Sequence, residues 1–276
     1  MGAELAKQLA AIPGGYSLVL AARRLDELRA LAATCEAAGA PSLAVACDVA
    51  SRDDVRRLVD AAVARFGRVD VFVNNAGVGV ACPVLQLDEA TVDAVLDVNL
   101  KGALWGMQAA TAHMASRPGG GHVVNISSFL AVVPAASVRS IYSAAKAALN
   151  SLSSNARMDL RAAGHADVHV STVMPGIVHT PFAANAVATP GVVLPPPPPA
   201  ALRPVGQTVE VAAAAIAAVV EASKAGGVPP AVSFTQGDVQ RQAALRYASD
   251  VGAWEAGAVE AAAAAAAAAA VAVPGA

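Results

Sequence analysis

The sequence predicts an α/β fold built on a doubly wound parallel sheet. Two observations predict it: short apolar runs alternate with longer amphipathic stretches along most of the 276 residues, and Gly or Pro residues separate them. Strands that are joined through helices run parallel to one another, and their crossovers are right-handed. The chain is long enough for one compact domain with a substantial core.

The helical and strand patterns follow each other in a regular order. Ser51 is a candidate N-cap for the third helix. A doubly wound sheet binds its ligand at the carboxyl ends of its strands, so polar residues that directly follow strands are candidates for a site. Helices are expected over residues 1–12, 25–38, 55–66, 88–114, 142–163 and 209–222, and strands over 17–20, 43–47, 69–73, 122–126, 168–173 and 231–234.

We expect residues 1–250 to form one domain and residues 251–276 to form an Ala-rich tail that is disordered or a frayed helix. A Pro-rich loop is expected over residues 181–204, because the five consecutive prolines at 195–199 fit neither a helix nor a central strand. The ten alanines at 261–270 favour a helix but have no apolar face to bury.

Composition excludes several classes of partner. A formal net charge of −2 and a pI near 6.2 give no electrostatic reason to expect nucleic acid or an anionic membrane. The apolar windows are broken by Pro and Gly or are Ala tracts, so no membrane span is expected. The three cysteines, Cys35, Cys47 and Cys82, lack the spacing of metal ligands. We therefore expect no metal site, free thiols and a cytoplasmic location.

The strongest local motif is Tyr142-Ser143-Ala144-Ala145-Lys146 in a predicted helix. Residues four apart share a helix face, so the phenol and the ammonium lie close together. A nearby ammonium stabilises phenolate and lowers the pKa of tyrosine, which makes it a usable general acid/base. The alternative interpretation is an ordinary amphipathic helix, in which the Tyr lies at the edge of the apolar face and the Lys is exposed to solvent.

Further polar motifs follow other predicted strands. Their order along the chain makes the Tyr–Lys motif a more specific signal of a catalytic site than it is alone. A serine hydroxyl in the motif at 125–128 could polarise a carbonyl oxygen. The motifs are Asn74-Asn75-Ala76-Gly77, Asp97-Val98-Asn99, Asn125-Ile126-Ser127-Ser128 and Pro175-Gly176-Ile177-Val178-His179-Thr180.

This ordered set resembles the short-chain dehydrogenase/reductase family over roughly residues 1–250. The resemblance implies a Rossmann fold and hydride transfer between a nicotinamide and a ketone, aldehyde or alcohol. It implies that Tyr142 exchanges the proton with the substrate oxygen and that Lys146 lowers the pKa of Tyr142 and holds the nicotinamide ribose. Ser128 would polarise the carbonyl, and Asn99 would hold the helix geometry and a water in the proton relay.

The spacing of the serine differs from the usual family pattern. Ser128 lies fourteen residues before Tyr142, where the family more often has thirteen. Ser127 therefore stays a second candidate. The resemblance also implies that the residues lining the nicotinamide half of the cofactor are Asn75, Ala76, Gly77, Pro175, Gly176, Ile177 and Thr180.

The choice of cofactor depends on the residues after the strand at 17–20. A carboxylate there would accept hydrogen bonds from the ribose 2′-hydroxyl of NAD, whereas an Arg would pair with the 2′-phosphate of NADP. Arg23 and Arg24 occupy this place, and the nearest acids are already in the next predicted helix. NADP(H) is the expected cofactor. Asp48-Val49 resembles the family's contact with the adenine, although Asp48 could equally cap the following helix.

The resemblance also implies that part of the family pattern is missing. Members open with a strand and a Thr-Gly-x-x-x-Gly-x-Gly turn that seats the pyrophosphate on a helix N-terminus. Here Gly2 matches the final glycine, and the family's first strand, which is central in its sheet, has no counterpart. Either the natural protein is longer and this sequence starts at an internal Met, or the gene is a decayed copy. A vestigial, non-catalytic protein with the same fold is the alternative function.

The expected partner is a small carbonyl or alcohol substrate. In this family the segment after Thr180 covers the substrate, and here residues 181–204 are apolar and Pro-rich, which suggests an apolar substrate or a loop that packs on its own body. The helices near 88–115 and 140–163 resemble the family's four-helix contact, so a homodimer or homotetramer is expected.

Overall fold

The computed structural model describes residues 1–134, 136–187, 189–192, 194, 206–224, 227–251, 257 and 260. The five prolines at 195–199, the alanine tract at 261–270 and most of the tail expected at 251–276 lie outside the described residues, as does much of the loop at 181–204.

Helices and strands alternate as the sequence predicts. A single 3-10 turn follows β4 at Phe129–Ala131 and holds Ser128 as its N-cap. The helices are α1 (Gly2–Ala10), α2 (Leu25–Ala37), α3 (Arg52–Phe66), α4 (Glu89–Leu96), α5 (Ala103–Ala115), α6 (Ser140–Ala162), α7 (Val209–Lys224) and α8 (Asp238–Ser249), and the strands are β1 (Leu18–Ala22), β2 (Ser42–Ala46), β3 (Val71–Asn74), β4 (Gly121–Ile126), β5 (Val168–Met174) and β6 (Val232–Phe234).

The described strands pair in parallel, which confirms the predicted fold class. They form two sheets, β1-β2 and β3-β4-β5-β6. Side chains alternate across the sheet: Val124 of β4 joins the core under α1, α2 and α7, whereas Val123 joins the core under α3, α5 and α6. Helices thus cover both faces, as in a doubly wound fold.

A gap, here named the strand slot, separates β1 from β3. Among the described strands, β1 pairs only with β2, and β3 pairs only with β4. Val19 and Leu20 line the slot on one side, and Val71 and Val73 line it on the other. The slot opens into the cleft at the carboxyl ends of the strands, and together they form a cavity of about 2050 Å³. The slot lies where the family resemblance implies a further strand.

The prediction of a single helix over 88–114 is wrong in detail. α4 and α5 are separated by a π-helical turn at Asp97–Gly102, which contains Asn99. The side chain of Asn99 bonds with both backbone polar groups of Val78, and a wide turn of this kind commonly marks a functional position. Helical periodicity does not reveal such a turn, because the chain keeps its direction through it.

The start of α3 shows which residue caps this helix. The Ser51 hydroxyl accepts a hydrogen bond from the Asp54 amide at 3.2 Å, so Ser51 is the N-cap. The carboxylate of Asp48 instead accepts a hydrogen bond from the Ala50 amide at 3.0 Å, within the loop. The alternative in which Asp48 caps α3 is therefore wrong. The polar helix α8 is a further element that the sequence pattern did not predict.

Three further findings concern membrane spans, metal sites and cysteines in the described residues. No helix in the described ranges has the length and apolar character needed to cross a membrane. No group of three or more His, Cys, Asp or Glu side chains in these ranges could hold a metal ion. The three cysteines are buried free thiols.

Candidate active site

The cleft at the carboxyl ends of the strands brings together residues that lie far apart in sequence. Asn99 does not line this cleft and lies behind its wall. The other predicted site residues all line it: Gly2, Arg23, Arg24, Asp48, Val49, Asn75, Ala76, Gly77, Ser128, Tyr142, Lys146, Pro175, Gly176, Ile177 and Thr180.

Tyr142 and Lys146 lie on the buried face of α6, one turn apart. Their relative exposures are 9% and 4%, so neither is the solvated surface residue of the alternative interpretation. Lys146 Nζ lies 6.0 Å from the centroid of the Tyr142 ring and donates a hydrogen bond to the Ile126 carbonyl at 2.8 Å. The end of β4 thus fixes the ammonium beside the phenol.

The pKa of Tyr142 is shifted in the direction opposite to the one expected from the sequence. Burial raises the pKa of Tyr142 above its ordinary value, while a hydrogen bond from Ser128 and the charge of Arg139 act in the opposite direction. Burial lowers the pKa of Lys146 to about 8. The expected lowering of the Tyr142 pKa is therefore not found, because desolvation outweighs the hydrogen bond from Ser128 and the charge of Arg139.

The two candidate serines have different surroundings. The Ser127 hydroxyl donates to the backbone carbonyl of Lys146 at 3.2 Å and is buried against α6. The Ser128 hydroxyl bonds with the Tyr142 phenol and accepts a hydrogen bond from the Leu130 amide at 3.1 Å. Ser128 thus stands next to the phenol, and Ser127 has a structural partner.

Asn99 connects the π-helical turn to the loop after β3. Its amide nitrogen donates to the Val78 carbonyl at 2.8 Å, and its amide oxygen accepts from the Val78 amide at 3.0 Å. A Cβ on Gly77 would lie 3.0 Å from Asn99 Oδ1 and 3.8 Å from Lys146 Nζ, so only glycine fits without displacement. Asn99 therefore positions the loop that passes over Lys146.

The N-terminus of α1 meets the same loop from the other side. A Cβ on Gly2 would lie 2.5 Å from Asn75 Nδ2, so the glycine allows the helix to approach the loop closely. Met1, Gly2 and Ala3 line the cleft, and no side chain in the part of the chain that the structure describes caps this helix end. Backbone N–H groups and the positive end of the helix dipole are thus available to an anionic group.

Arg23 and Arg24 are exposed at the carboxyl end of β1. Arg24 pairs with Glu27 at 2.9 Å, and Arg23 makes no ion pair among the described residues. Asp48 and Val49 follow β2 on the same side of the cleft. A Cβ on Gly102 would lie 2.9 Å from Val49 Cγ2, so Val49 also packs against the π-helical turn.

The segment after β5 forms the opposite wall. The Phe129 amide donates to the Pro175 carbonyl at 2.9 Å, and the Ile177 carbonyl accepts from the Gln207 amide at 2.8 Å. Thr180 Oγ1 accepts a hydrogen bond from the Phe182 amide at 3.4 Å. These bonds hold residues 175–180 across the carboxyl ends of β4 and β5.

Sequence reasoning assigned no role to several residues in and behind the cleft. Asn74 Nδ2 donates to Asn125 Oδ1 at 2.7 Å, and Asn125 Nδ2 donates to Ser153 Oγ at 2.9 Å, which ties β3, β4 and α6 together. Gln240 of α8 is buried and lines the cleft near Gly176, and its Nε2 has no hydrogen-bond partner among the described residues. The asparagines end predicted strands, a usable signal, whereas nothing in the sequence of α8 indicates the cleft.

The residues present fit a nicotinamide dinucleotide. Gly2 and Gly77 let the start of α1 and the loop after β3 pack closely at the edge of the cleft, and Gln240 offers a buried donor, unpartnered among the described residues, on the wall formed by residues 175–180. The uncapped end of α1 suits a pyrophosphate, and Arg23 suits a phosphate on the ribose. Lys146 has donors left for ribose hydroxyls after its bond to Ile126.

Comparisons with known proteins agree with this geometry. The sequence profile described as short chain dehydrogenase matches residues 1–191. 11-Beta-hydroxysteroid dehydrogenase 1A of Arabidopsis thaliana is 35% identical over 182 residues, which are 65% of this chain and 50% of that protein. The chain spans about half the length of the plant relatives it matches.

Two solved structures are similar to the chain. A short chain dehydrogenase/reductase from Burkholderia phymatum in complex with NAD is 27% identical, has a TM-score of 0.71, and is matched over 89% of this chain and 88% of that one. A metagenomic short-chain oxidoreductase in complex with NADP is 36% identical, with a TM-score of 0.57, over 63% and 76% of the two chains. Since the family profile covers well over half of the sequence, the chain belongs to the short chain dehydrogenase family.

Proposed function

We propose that the protein is an oxidoreductase that transfers a hydride between NADP(H) and a ketone, aldehyde or alcohol, with Tyr142 as the general acid/base. The observation that supports this most is the group formed by Ser128, Tyr142 and Lys146 at the mouth of the cleft. A bound nicotinamide would supply or accept the hydride. The residues of the chain bind, orient and exchange the proton.

Each residue of the group has a distinct task. Tyr142 Oη gives its proton to the carbonyl oxygen as negative charge develops there, and takes one back in alcohol oxidation. The Ser128 hydroxyl donates a hydrogen bond to the same oxygen. Lys146, held by the Ile126 carbonyl, keeps a positive charge beside the phenol that favours the phenolate left after transfer. Asn99 acts through the loop it positions.

The NADP preference is part of the proposal. Arg23 stands at the end of β1 without an ion-pair partner among the described residues, which leaves its guanidinium for a 2′-phosphate. The solved relatives bind NAD in one case and NADP in another, so kinship does not decide between the two cofactors.

A homodimer is also proposed. The outer faces of α5 and α6 leave a groove of about 320 Å³, lined by apolar and polar side chains that include Leu104, Leu152 and Ala156. A second copy could bury this groove through the same two helices. Light scattering of Ala156→Glu tests it: a wild-type dimer that becomes monomeric supports the contact, and a wild-type monomer refutes it.

The test of the activity is an NADPH-oxidation assay over a panel of ketones and aldehydes. Tyr142→Phe should lower turnover by about 10²–10⁴, the range of general acid catalysis. Tyr247→Phe, which removes a phenol outside the cleft, is the matched control and should keep wild-type turnover. Equal turnover of wild type and Tyr142→Phe would remove Tyr142 from the mechanism.

The split sheet favours a second candidate, a non-catalytic protein that retains the fold. Arg23 follows a strand of one sheet and Asn75 follows a strand of the other, with the strand slot between them. If the two sheets do not hold a fixed distance, a dinucleotide cannot span the cleft productively. Titration of the chain with NADPH, followed by cofactor fluorescence, separates the candidates: saturable binding favours the enzyme, and no binding favours the alternative.

A further inference from the structure

An arginine borders the cleft next to the candidate acid. Arg139 precedes α6, and one of its terminal nitrogens donates to the Val80 carbonyl at 2.5 Å. The same nitrogen would lie 3.2 Å from a Cβ on Gly79, which also contacts the ring of Phe182. That ring lies 5.6 Å from the ring of Tyr142, centroid to centroid. Arg139 and Tyr142 therefore share one corner of the cleft.

Arg139 has hydrogen-bonding capacity to spare. It makes no ion pair with a carboxylate among the described residues. A guanidinium carries five N–H donors, and within the described part of the chain one hydrogen bond, to the Val80 carbonyl, uses them. The side chain is half-buried and lines the cleft. A partly desolvated cation in this position favours an anionic ligand.

The start of α6 strengthens the positive potential of this corner. The first turn of α6 contains no acidic residue, and no side chain in the described ranges caps it. The helix has 23 residues, so the positive end of its dipole points toward the same region. The electrostatic effect reaches the phenol, since the charge of Arg139 acts to lower the pKa of Tyr142.

The rest of the corner is apolar. Phe129, Leu130 and Phe182 line the cleft around Ser128 and Tyr142. The acidic residues that line the cavity, Glu27, Asp48, Asp70 and Asp167, belong to other parts of it, near β1, β2, β3 and the start of β5. The corner thus offers an apolar wall and, besides Lys146, the guanidinium of Arg139, which has no ion-pair partner among the described residues.

We propose that Arg139 binds a carboxylate of the substrate, so that the protein reduces oxo acids with an apolar body or oxidises the matching hydroxy acids. The assignment rests on the function proposed above and makes Arg139 a specificity-determining residue. Arg139 takes no part in electron or proton transfer: the carbonyl carbon receives the hydride, and its oxygen receives the Tyr142 proton. The carboxylate only orients the carbonyl toward Ser128 and Tyr142.

The test compares aryl oxo acids with their methyl esters, which keep the aryl group and the ketone but lack the negative charge. The wild type should prefer the acids in kcat/KM, and Arg139→Gln should lower the acid-to-ester ratio by about 10–100-fold. Arg161→Gln, an exposed arginine near the other end of α6, should leave the ratio as it is. A residue that only tuned the pKa of Tyr142 would change both substrates equally, and an unchanged ratio in Arg139→Gln would overturn the proposal.

A binding measurement keeps this proposal separate from the proposed function. The chain has three tyrosines, so ¹³Cζ-tyrosine NMR gives three signals, and Tyr142→Phe assigns the one from the cleft. Benzoate should shift this signal at lower concentration than benzamide does, and Arg139→Gln should abolish the difference. Equal effects of benzoate and benzamide on the wild type would contradict the carboxylate site even if no substrate is turned over.

Discussion

At the scale of single residues, burial and partners decide which of two neighbouring serines takes part in the chemistry. Ser127 Oγ is engaged by the backbone of Lys146, whereas Ser128 Oγ meets the phenol of Tyr142. Ser128→Ala should lower kcat by about 10²–10³, the cost of losing one donor to a developing oxyanion. Ser127→Ala should instead cost about 1 kcal/mol of unfolding free energy and change kcat little. Denaturant titrations and steady-state kinetics on both variants measure this, and the reverse order would show that the serine is misassigned.

A second residue-scale prediction concerns Arg23. If its guanidinium pairs with the 2′-phosphate of NADPH, Arg23→Ala should lower the NADPH-to-NADH ratio of kcat/KM by about 10-fold or more. Arg29→Ala, which breaks the exposed ion pair with Asp26 on α2, is the control and should leave the ratio unchanged. A ratio that Arg23→Ala does not move would refute the contact.

Much of the candidate site could be predicted at this scale because its residues follow strands. Ser128 and Asn75 stand at strand ends, where a parallel sheet collects its ligands. Arg139 and Gln240 could not be predicted, since their places in the cleft depend on contacts with segments distant in sequence, such as Val80 and Gly176. The pKa of Tyr142 also required the structure, because burial outweighs the neighbouring charges.

At the scale of the elements, the strand slot leaves the inner edges of β1 and β3 without a pairing strand among the described residues. In parallel pairing, alternate residues of a strand bond to opposite neighbours. Leu18 N donates to Pro41 and Ala22 O accepts from Cys47, so the amides of Val19 and Ala21 point away from β2. Likewise Asp70 O bonds with His122, so the amide of Val71 points away from β4.

Hydrogen exchange measured by NMR tests this arrangement. The amides of Val19, Ala21 and Val71 should exchange much faster than those of Val124 and Val173, which lie in strands paired on both sides. Comparable protection of the two groups would mean that the slot edges are hydrogen-bonded in solution, contrary to the described pairing.

The element order could be predicted from sequence because each element has its own period and breakers. The π-helical turn in the helix expected over 88–114 could not, since it depends on the bond between Asn99 and Val78. The start of α3 could be predicted from Ser51, which does cap it.

At the scale of the whole molecule, a buried histidine links stability to pH. His122 of β4 is fully buried; its Nε2 bonds with Ser171 Oγ at 2.8 Å, and its Nδ1 has no partner among the described residues. Ser171 Oγ donates to the Pro230 carbonyl, so His122 Nε2 is the donor in the bond to Ser171. Burial lowers the pKa of His122 from 6.5 to about 4.

The unfolded chain thus takes up a proton near pH 6.5, and the folded one does not until about pH 4. The unfolded state binds more protons in this window, so stability should fall as pH drops through it, by about 3 kcal/mol in total. Urea titrations at several pH values measure the slope. His122→Gln should flatten it and His165→Gln should not; a slope that His122→Gln leaves intact would assign the effect to other groups.

The family and the parallel architecture were predictable for the whole molecule, because both rest on motifs in order along the chain. The detailed form of the cavity was not, since it arises from the space between two sheets that no single segment specifies.

The most direct test of the account follows the hydride itself. NADPH carrying deuterium at both C4 positions is supplied with a reducible ketone or oxo acid, and the alcohol is analysed by mass spectrometry. The account predicts one deuterium on the carbinol carbon with the wild type, and loss of nearly all product with Tyr142→Phe. Alcohol without deuterium at that carbon, or labelled alcohol formed equally well by Tyr142→Phe, would contradict it.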